Sequence, residues 1–494
     1  MFESAEVGRK ISKKEFERRL PHIRSRLVQT EFELTRTNSP VIIIVSGVDG
    51  AGKGDVVHRL SEWLDPRGMN VSAFWHDTEA GRERPPYWDF WQALPPRGRI
   101  AILFGSWYTE PVIQRVYGHM KGPAFDAALQ RIASFEEMLA HDGALIIKLW
   151  FHLSKNNLHR RLSRLKKDPE THWRVLPMDW AHHKLYDKFV RVSERTLRRT
   201  DFPHAPWCLV ESTDDRYRDL TAARIILEAM EARLARRRPA RFKVSRRLPR
   251  LGQHGKGGKT ILDAVDLDQR LTREVYERKL EKFQARLSRL SWAAWKKKIA
   301  AVLVFEGWDA AGKGGCIRRM TQALDPRLFR VVPIAAPTDE ERAHHYLWRF
   351  WRQMPAAGRL TIFDRSWYGR VLVERVEGFA QPDEWHRAYH EINDFEEQLV
   401  EHGMLLVKFW IHLSKAEQLR RFKERESIPF KRYKITAEDW RNRRKWDDYK
   451  AAVNDMVSFT SSEFAPWTLV AGEDKKCARI QILKELCQRL EDVL

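Results

Sequence analysis

The stretch Ala301-Val302-Leu303-Val304-Phe305-Glu306-Gly307-Trp308-Asp309-Ala310-Ala311-Gly312-Lys313-Gly314-Gly315 decides the fold. Its first five residues are an apolar run of strand length, and the residues after Gly315 continue at helical spacing. Between them lies Gly-x-x-x-x-Gly-Lys. A strand, this loop and a helix together define a phosphate-binding loop. Glycines let backbone N–H groups converge on phosphate oxygens, and the helix N-terminus adds positive potential. Lys313 reaches the terminal phosphates. One position departs from the usual pattern. Where a Ser or Thr would hand a hydroxyl to magnesium, this chain has Gly314. Carboxylates must then carry the metal, and Asp309 inside the loop is the first candidate.

The stretch occurs twice. Gly47-Val48-Asp49-Gly50-Ala51-Gly52-Lys53-Gly54 precedes Gly307–Gly314 by 260 positions. Ser106-Trp107-Tyr108 and Ser366-Trp367-Tyr368 keep that offset. So do Phe135-Glu136-Glu137 and Phe395-Glu396-Glu397, and Ala205-Pro206-Trp207 and Ala465-Pro466-Trp467. A period this long means two whole domains in tandem rather than a solenoid. The expected boundaries are 1–235 and 262–494, with 236–261 as a basic linker. That linker contains Arg236-Arg237-Arg238-Pro239 and Gly255-Lys256-Gly257-Gly258-Lys259. The second glycine run follows no apolar strand, so it is not a phosphate loop.

Each half opens with an amphipathic helix, marked in the second by Val275, Leu280, Phe283, Leu287 and Leu290. Apolar runs follow at Val41–Val45 and Ala301–Phe305, then at Val331–Ile334, Leu360–Phe363, Met404–Ile411 and Trp467–Val470, with helical stretches between them. The expected class is α/β: tandem P-loop kinase-like domains, each a parallel sheet flanked by helices and closed by a helical lid.

The 494 residues carry a net charge of +22, which draws the chain toward polyanions: nucleic acid, anionic membrane or a phosphorylated substrate. Hydrophobic residues make up 43%, with 20 Trp and 24 Phe, which excludes a disordered chain. No apolar run reaches the roughly 20 residues of a membrane span. No signal peptide is read at the N-terminus. Four cysteines without CxxC spacing argue against a disulfide framework or structural zinc. The expected setting is the cytoplasm, with reduced thiols.

Leu360-Thr361-Ile362-Phe363-Asp364 reads as a strand ending in a second metal carboxylate, and Arg365 beside it can hold a transferring phosphate bidentately. Gln418 to Arg425 and Pro429 to Lys434 crowd cations into a short helix and loop, the composition of a lid that closes over phosphates. The first half keeps Asp49 and Lys53. It has Phe104 where the second has Asp364, Gly105 for Arg365, Glu110 for Arg370, Gln114 for Glu374 and Asp89 for Arg349. Phosphoryl transfer rests on positioning and charge neutralisation, so the first half is expected to be catalytically degenerate.

With these residues in view, the chain resembles the polyphosphate kinase 2 family, and its two-domain form resembles class II. The resemblance rests on Gly307–Gly315, Pro337-Thr338 with Glu341-Arg342, Asp364-Arg365-Ser366-Trp367-Tyr368, Val373-Glu374-Arg375-Val376, the lid with Arg421 and Arg425, and Ala465-Pro466-Trp467. It implies inorganic polyphosphate as donor, AMP as acceptor, ADP as product, Mg2+ as cofactor and catalysis by the second half. Asp309 and Asp364 would hold the metal. Lys313 and Arg365 would neutralise phosphate charge, and Glu374 matches the family's acidic residue near the metal. Gly307, Gly312, Gly314, Arg342, Arg370, Arg375, Arg421 and Arg425 would bind phosphate or nucleotide, the last four lining the polyphosphate path. A homo-oligomer is expected, with no specific nucleic acid and no membrane partner. Two other readings stay open: an ATP-dependent nucleoside monophosphate kinase of thymidylate-kinase type, and a non-catalytic polyanion- or nucleic-acid-binding P-loop protein.

Overall fold

A computed structural model describes residues 1–74, 79–235, 260–429, 433 and 435–494. The expected linker falls outside the described residues except at its end, where Ile261 opens a short 3-10 helix, Ile261–Ala264. Phe430, Lys431, Arg432 and Lys434 of the expected lid also lie outside them. The chain divides into two compact units. One is drawn from 1–77, 89–243 and 338–345, the other from 78–88, 244–337 and 346–494.

The first unit contains β1 (Val41–Gly47), β2 (Met69–Ala73), β3 (Ile100–Phe104), β4 (Leu145–His152) and β5 (Trp207–Glu211). The second contains β6 (Ala301–Gly307), β7 (Phe329–Pro333), β8 (Leu360–Asp364), β9 (Leu405–His412) and β10 (Trp467–Ala471). Each sheet is fully parallel, ordered β2-β3-β1-β4-β5 and β7-β8-β6-β9-β10. The apolar runs expected from sequence all form strands, with ends displaced by a residue or two. A parallel strand hydrogen-bonds on both edges and is covered on both faces, so β1 and β6 are apolar and buried along most of their length.

Helices supply the cover. In the second unit Arg273–Lys296, started by the Thr272 side chain accepting from the Val275 N–H, packs on Lys475–Val493. Pro382–Glu401 packs against β9. The first unit repeats this with Lys13–Leu34 on Asp215–Ala235 and Gly122–His141 on β4. The strand order reverses at β6, which has β8 on one side and β9 on the other. A ligand crevice is therefore expected beyond the carboxyl ends of β6 and β8.

Under each sheet lies one buried polar cluster. In the second unit Lys408 donates to Glu396 (2.6 Å), to the Tyr368 hydroxyl (2.9 Å) and to the Thr460 carbonyl (2.7 Å). Glu396 also accepts from Tyr368 (2.6 Å) and from the Trp367 indole (3.0 Å). Neither Glu396 nor Lys408 has any side-chain exposure. Burial pushes the Glu396 carboxyl up and the Lys408 ammonium down, and their mutual attraction opposes both shifts. Trp467, buried at the start of β10, completes the cluster over Tyr368 and Lys408. The first unit repeats every bond with Lys148, Glu136, Tyr108, Trp107 and Thr200.

Removing one member of such a pair strands the other charge in the core. Lys408→Met and Glu396→Gln should each cost about 3–5 kcal/mol. The double variant should cost less than their sum, as read by urea unfolding of the full chain.

Candidate functional site

The loop after β6 takes the shape its glycines permit. Gly307 has φ 150° and Gly312 φ 110°. A side chain at Gly307 would collide with the Ile411 carbonyl at 2.6 Å, whereas the space beside Gly312 and Gly314 is open. Gly312 caps the helix Lys313–Thr321. The Lys313 ammonium folds back on its own loop, donating to the Gly307 carbonyl at 2.7 Å. Asp309 accepts from Asn442 at 2.9 Å and pairs with Arg365 at 3.3 Å, and its carbonyl accepts from Gln418 at 3.2 Å. Lys313, Asp309 and Arg365 therefore line one cleft, about 80 Å³, walled by Trp308 and Trp446 stacked at 3.8 Å.

Asp364 ends β8, as its sequence pattern indicated, and Arg365 follows with φ 65°. A left-handed Arg is unusual and costs energy. The corresponding residue of the first unit is Gly105, with φ 79°, so the turn itself demands this conformation. Burial works against charge on Arg365, but Asp309, Glu306 and Asp364 around it outweigh burial and raise its pKa. Glu306 is fully buried, accepts from the Ser366 hydroxyl at 2.8 Å, and has its carboxyl pushed up by that burial.

Beside the loop is a second, cationic cavity lined by Gly312, Gly315, Arg421, Arg425, Lys475 and Arg479. Arg425 belongs to it, and burial pulls its pKa down. Arg421 also lines it, with its guanidinium bonded to the protein itself. All five of its N–H groups are engaged, by Glu417, the Ala310 and Ala311 carbonyls, and the Gly472 and Glu473 carbonyls. It holds the loop's backbone in place. Arg375 is similarly committed, to the Tyr389 hydroxyl and Asp455 at 2.8 Å each and to the Trp385 face. Arg370 pairs with Glu374 at 3.1 Å, and burial raises the Glu374 carboxyl. Arg342 pairs with Asp339 and lies in segment 338–345, which groups with the first unit.

Glu306, Asn442, Lys475 and Arg479 are site residues that the motifs do not mark. Two of them could have been found by comparing the halves. Lys475 stands where the first half has Asp215, and Arg479 where it has Asp219, both reversals of charge.

The first unit builds the same loop and fills it. Asp55 replaces Gly315, and Arg218 replaces Ala478. The Arg218 guanidinium lies against Gly52, so close that a Cβ there would meet it at 1.9 Å. Arg218 bonds Asp215 (2.7 Å) and Asp219 (2.8 Å), while Arg161 bonds Asp55 and Asp215 at 3.0 Å each. Lys53 is paired with Asp49 at 2.9 Å, and Asp49 with His182 at 2.5 Å. Burial alone would raise the Asp49 carboxyl, but Lys53 and His182 hold it well below the usual carboxylate range. The cations around this loop are thus neutralised from within.

Among the described residues no group of three or more His, Cys, Asp or Glu is placed to hold a metal ion. Asp309 lines the cleft, and Asp364 stands at the end of β8 before Arg365. Carboxylate oxygens suit a hard cation that keeps waters and takes its other ligands from phosphate. The four cysteines are free, and no helix among the described residues is long and apolar enough to cross a membrane.

A family model for polyphosphate kinase 2 matches residues 10–238 and 270–493, once per unit. A polyphosphate:AMP phosphotransferase of Pseudomonas aeruginosa is 51% identical over 492 residues, 99% of each chain. One from Acinetobacter johnsonii is 37% identical over 94% of this chain and 95% of its own. A crystal structure of a polyphosphate kinase 2 from Pseudomonas aeruginosa superposes with a TM-score of 0.89 at 49% identity, covering 100% of this chain and 99% of that one.

Glu417 anchors Arg421, and its bonds to Arg420 and Arg421 outweigh burial to hold its carboxyl down at about 2. A depressed carboxylate stabilises the fold above its unfolded pKa, near 4.5, and loses that contribution as pH falls toward 2. Glu417→Gln should therefore lower the melting temperature by about 2–8 °C at pH 7, shrinking toward zero near pH 2.5, as followed by circular dichroism.

Proposed function

The chain belongs to the polyphosphate kinase 2 family, and on that premise we propose that its second unit transfers a phosphoryl group from inorganic polyphosphate to AMP, forming ADP. What carries this reading is the open loop of the second unit. Lys313, Arg365 and Asp309 meet in one cleft beside a cavity that holds Arg425, Lys475 and Arg479. A phosphate polymer could lie along the cationic cavity and reach Lys313 and Arg365 in the cleft beside it, which a single short ligand would not do.

An oxygen of the AMP phosphate attacks the terminal phosphorus of polyphosphate. The P–O anhydride bond behind that phosphorus breaks, and the chain leaves shorter by one unit. The protein's task is to align the two phosphates and disperse charge in the transition state. The loop N–H groups and Lys313 would hold one phosphate from below. Arg365 would reach the transferring group from the end of β8, and Asn442 and Gln418 keep Asp309 in position. Mg2+ held by Asp309 and Asp364 would neutralise the phosphate oxygens. Arg370 and Glu374, joined as a pair, would orient groups at the edge of the site. The first unit, with its loop neutralised, would not take part in the chemistry.

Purified protein with Mg2+ and AMP should form ADP when given long-chain polyphosphate. ADP formed from ATP but not from polyphosphate would favour the nucleoside monophosphate kinase reading. Asp364→Asn should lower kcat by about 10²-fold or more, a loss in the range seen when one charge-stabilising group is removed. Asp49→Asn should change it by less than about threefold. Equal losses would contradict the division of labour between the units.

A further inference from the structure

The first unit contains a cavity for which phosphoryl transfer has no use. It lies over the loop 47–53 and has a volume of about 240 Å³, against about 80 Å³ for its counterpart in the second unit. Val48 in place of Trp308 removes an indole and opens the space. Leu158 for Gln418, Met178 for Glu438 and Phe189 for Tyr449 remove polar groups from the wall, and Phe104 adds a ring to it. Both units keep the Asp and Lys of the loop, as Asp49 and Lys53 in the first, but three polar wall positions have become apolar, and the apolar wall still faces a cleft rather than collapsing onto it. Exposing such a wall gains nothing for an empty protein, and unfilled apolar space costs stability.

The cavity's chemistry narrows its occupant. Lys53 is the one Lys or Arg on the described lining, and Asp49 already neutralises it. Arg161 and Arg218 are held by Asp55 and Asp215. A phosphate or other strong anion therefore finds no uncommitted cation there. Phe74, Phe104, Trp150 and Phe189 offer ring faces and edges. Two buried ring nitrogens on the lining lack a hydrogen-bond partner, Nε1 of Trp150 and Nε2 of His182, whose Nδ1 is given to Asp49. Polar points set in an aromatic wall match a flat heterocycle whose edge carries nitrogen or oxygen.

We infer that this cavity is a second, non-catalytic ligand site for an uncharged heteroaromatic molecule, a purine base or a nucleoside without phosphate. The ring stacks within the Phe104 and Phe189 wall, and its edge bonds to Trp150 and His182. The site is separate from the transfer chemistry proposed for the second unit, so either claim can fail without the other.

The experiment uses the full chain and adenosine as probe. Hydrogen exchange of the wild type with and without adenosine should show slowed exchange in peptides covering 104–113 and 176–193. Val48→Trp, which puts the second unit's own indole into the cavity, should abolish that protection and weaken adenosine binding by calorimetry at least tenfold. ADP formation from AMP and polyphosphate should stay within twofold. Protection confined to peptides of the second unit would overturn the inference. So would a folded Val48→Trp variant that binds adenosine as the wild type does. Because the exchange measurement needs no variant, it decides the matter even if Val48→Trp fails to fold. Loss of polyphosphate-dependent ADP formation in the wild type would reject the proposed activity and leave this site untouched.

Discussion

The fully buried Glu396–Lys408 pair governs the geometry of the second unit. Two charges in a core are tolerable only when every donor and acceptor finds a partner. Here the partners are Trp367 and Tyr368, the residues that follow Asp364-Arg365-Ser366. The pair therefore nails the chain just beyond the end of β8. Upstream, the ladder to β6 fixes Asp364 opposite Phe305. Held at both ends, the turn at Arg365 has little choice of conformation, and its left-handed φ is supported by everything around it. The guanidinium is thereby aimed from the end of β8 toward Asp309 across the cleft.

The same pair occurs in the first unit with Glu136 and Lys148, although the residues it would position have changed to Phe104 and Gly105. The scaffold and the chemistry have thus been separated. The scaffold motif Ser-Trp-Tyr persists in both halves because the core requires it. The two residues before it are free to differ, since only a reacting phosphate would call for Asp and Arg there. Gly105 relieves the turn's strain where no guanidinium is needed.

Much of this was legible in the sequence. Apolar runs of strand length, the two glycine loops and the constant offset of 260 gave both sheets and placed Asp309, Lys313, Asp364 and Arg365. What sequence could not reveal was the fate of individual cations. Arg421 and Arg425 sit on one helix four residues apart. Both line one cavity, yet Arg421 has its N–H groups bonded to Glu417 and to four backbone carbonyls. That outcome is set by burial and by carbonyls from distant segments, which leave no local pattern. Lys475 and Arg479 were missed for a related reason: they come from the last helix, which reads only as amphipathic cover for the sheet.

The carboxylate of Asp55 amounts to an anion that the first unit never releases. Being part of the chain, it presents an effective concentration far above that of any diffusing competitor. The first unit thus folds with the cations of its loop already paired, whereas the second, on the proposed function, would gain the equivalent stabilisation by mass action when a phosphate ligand binds. One polypeptide would then contain a half whose stability is constitutive and a half whose stability follows the supply of phosphate.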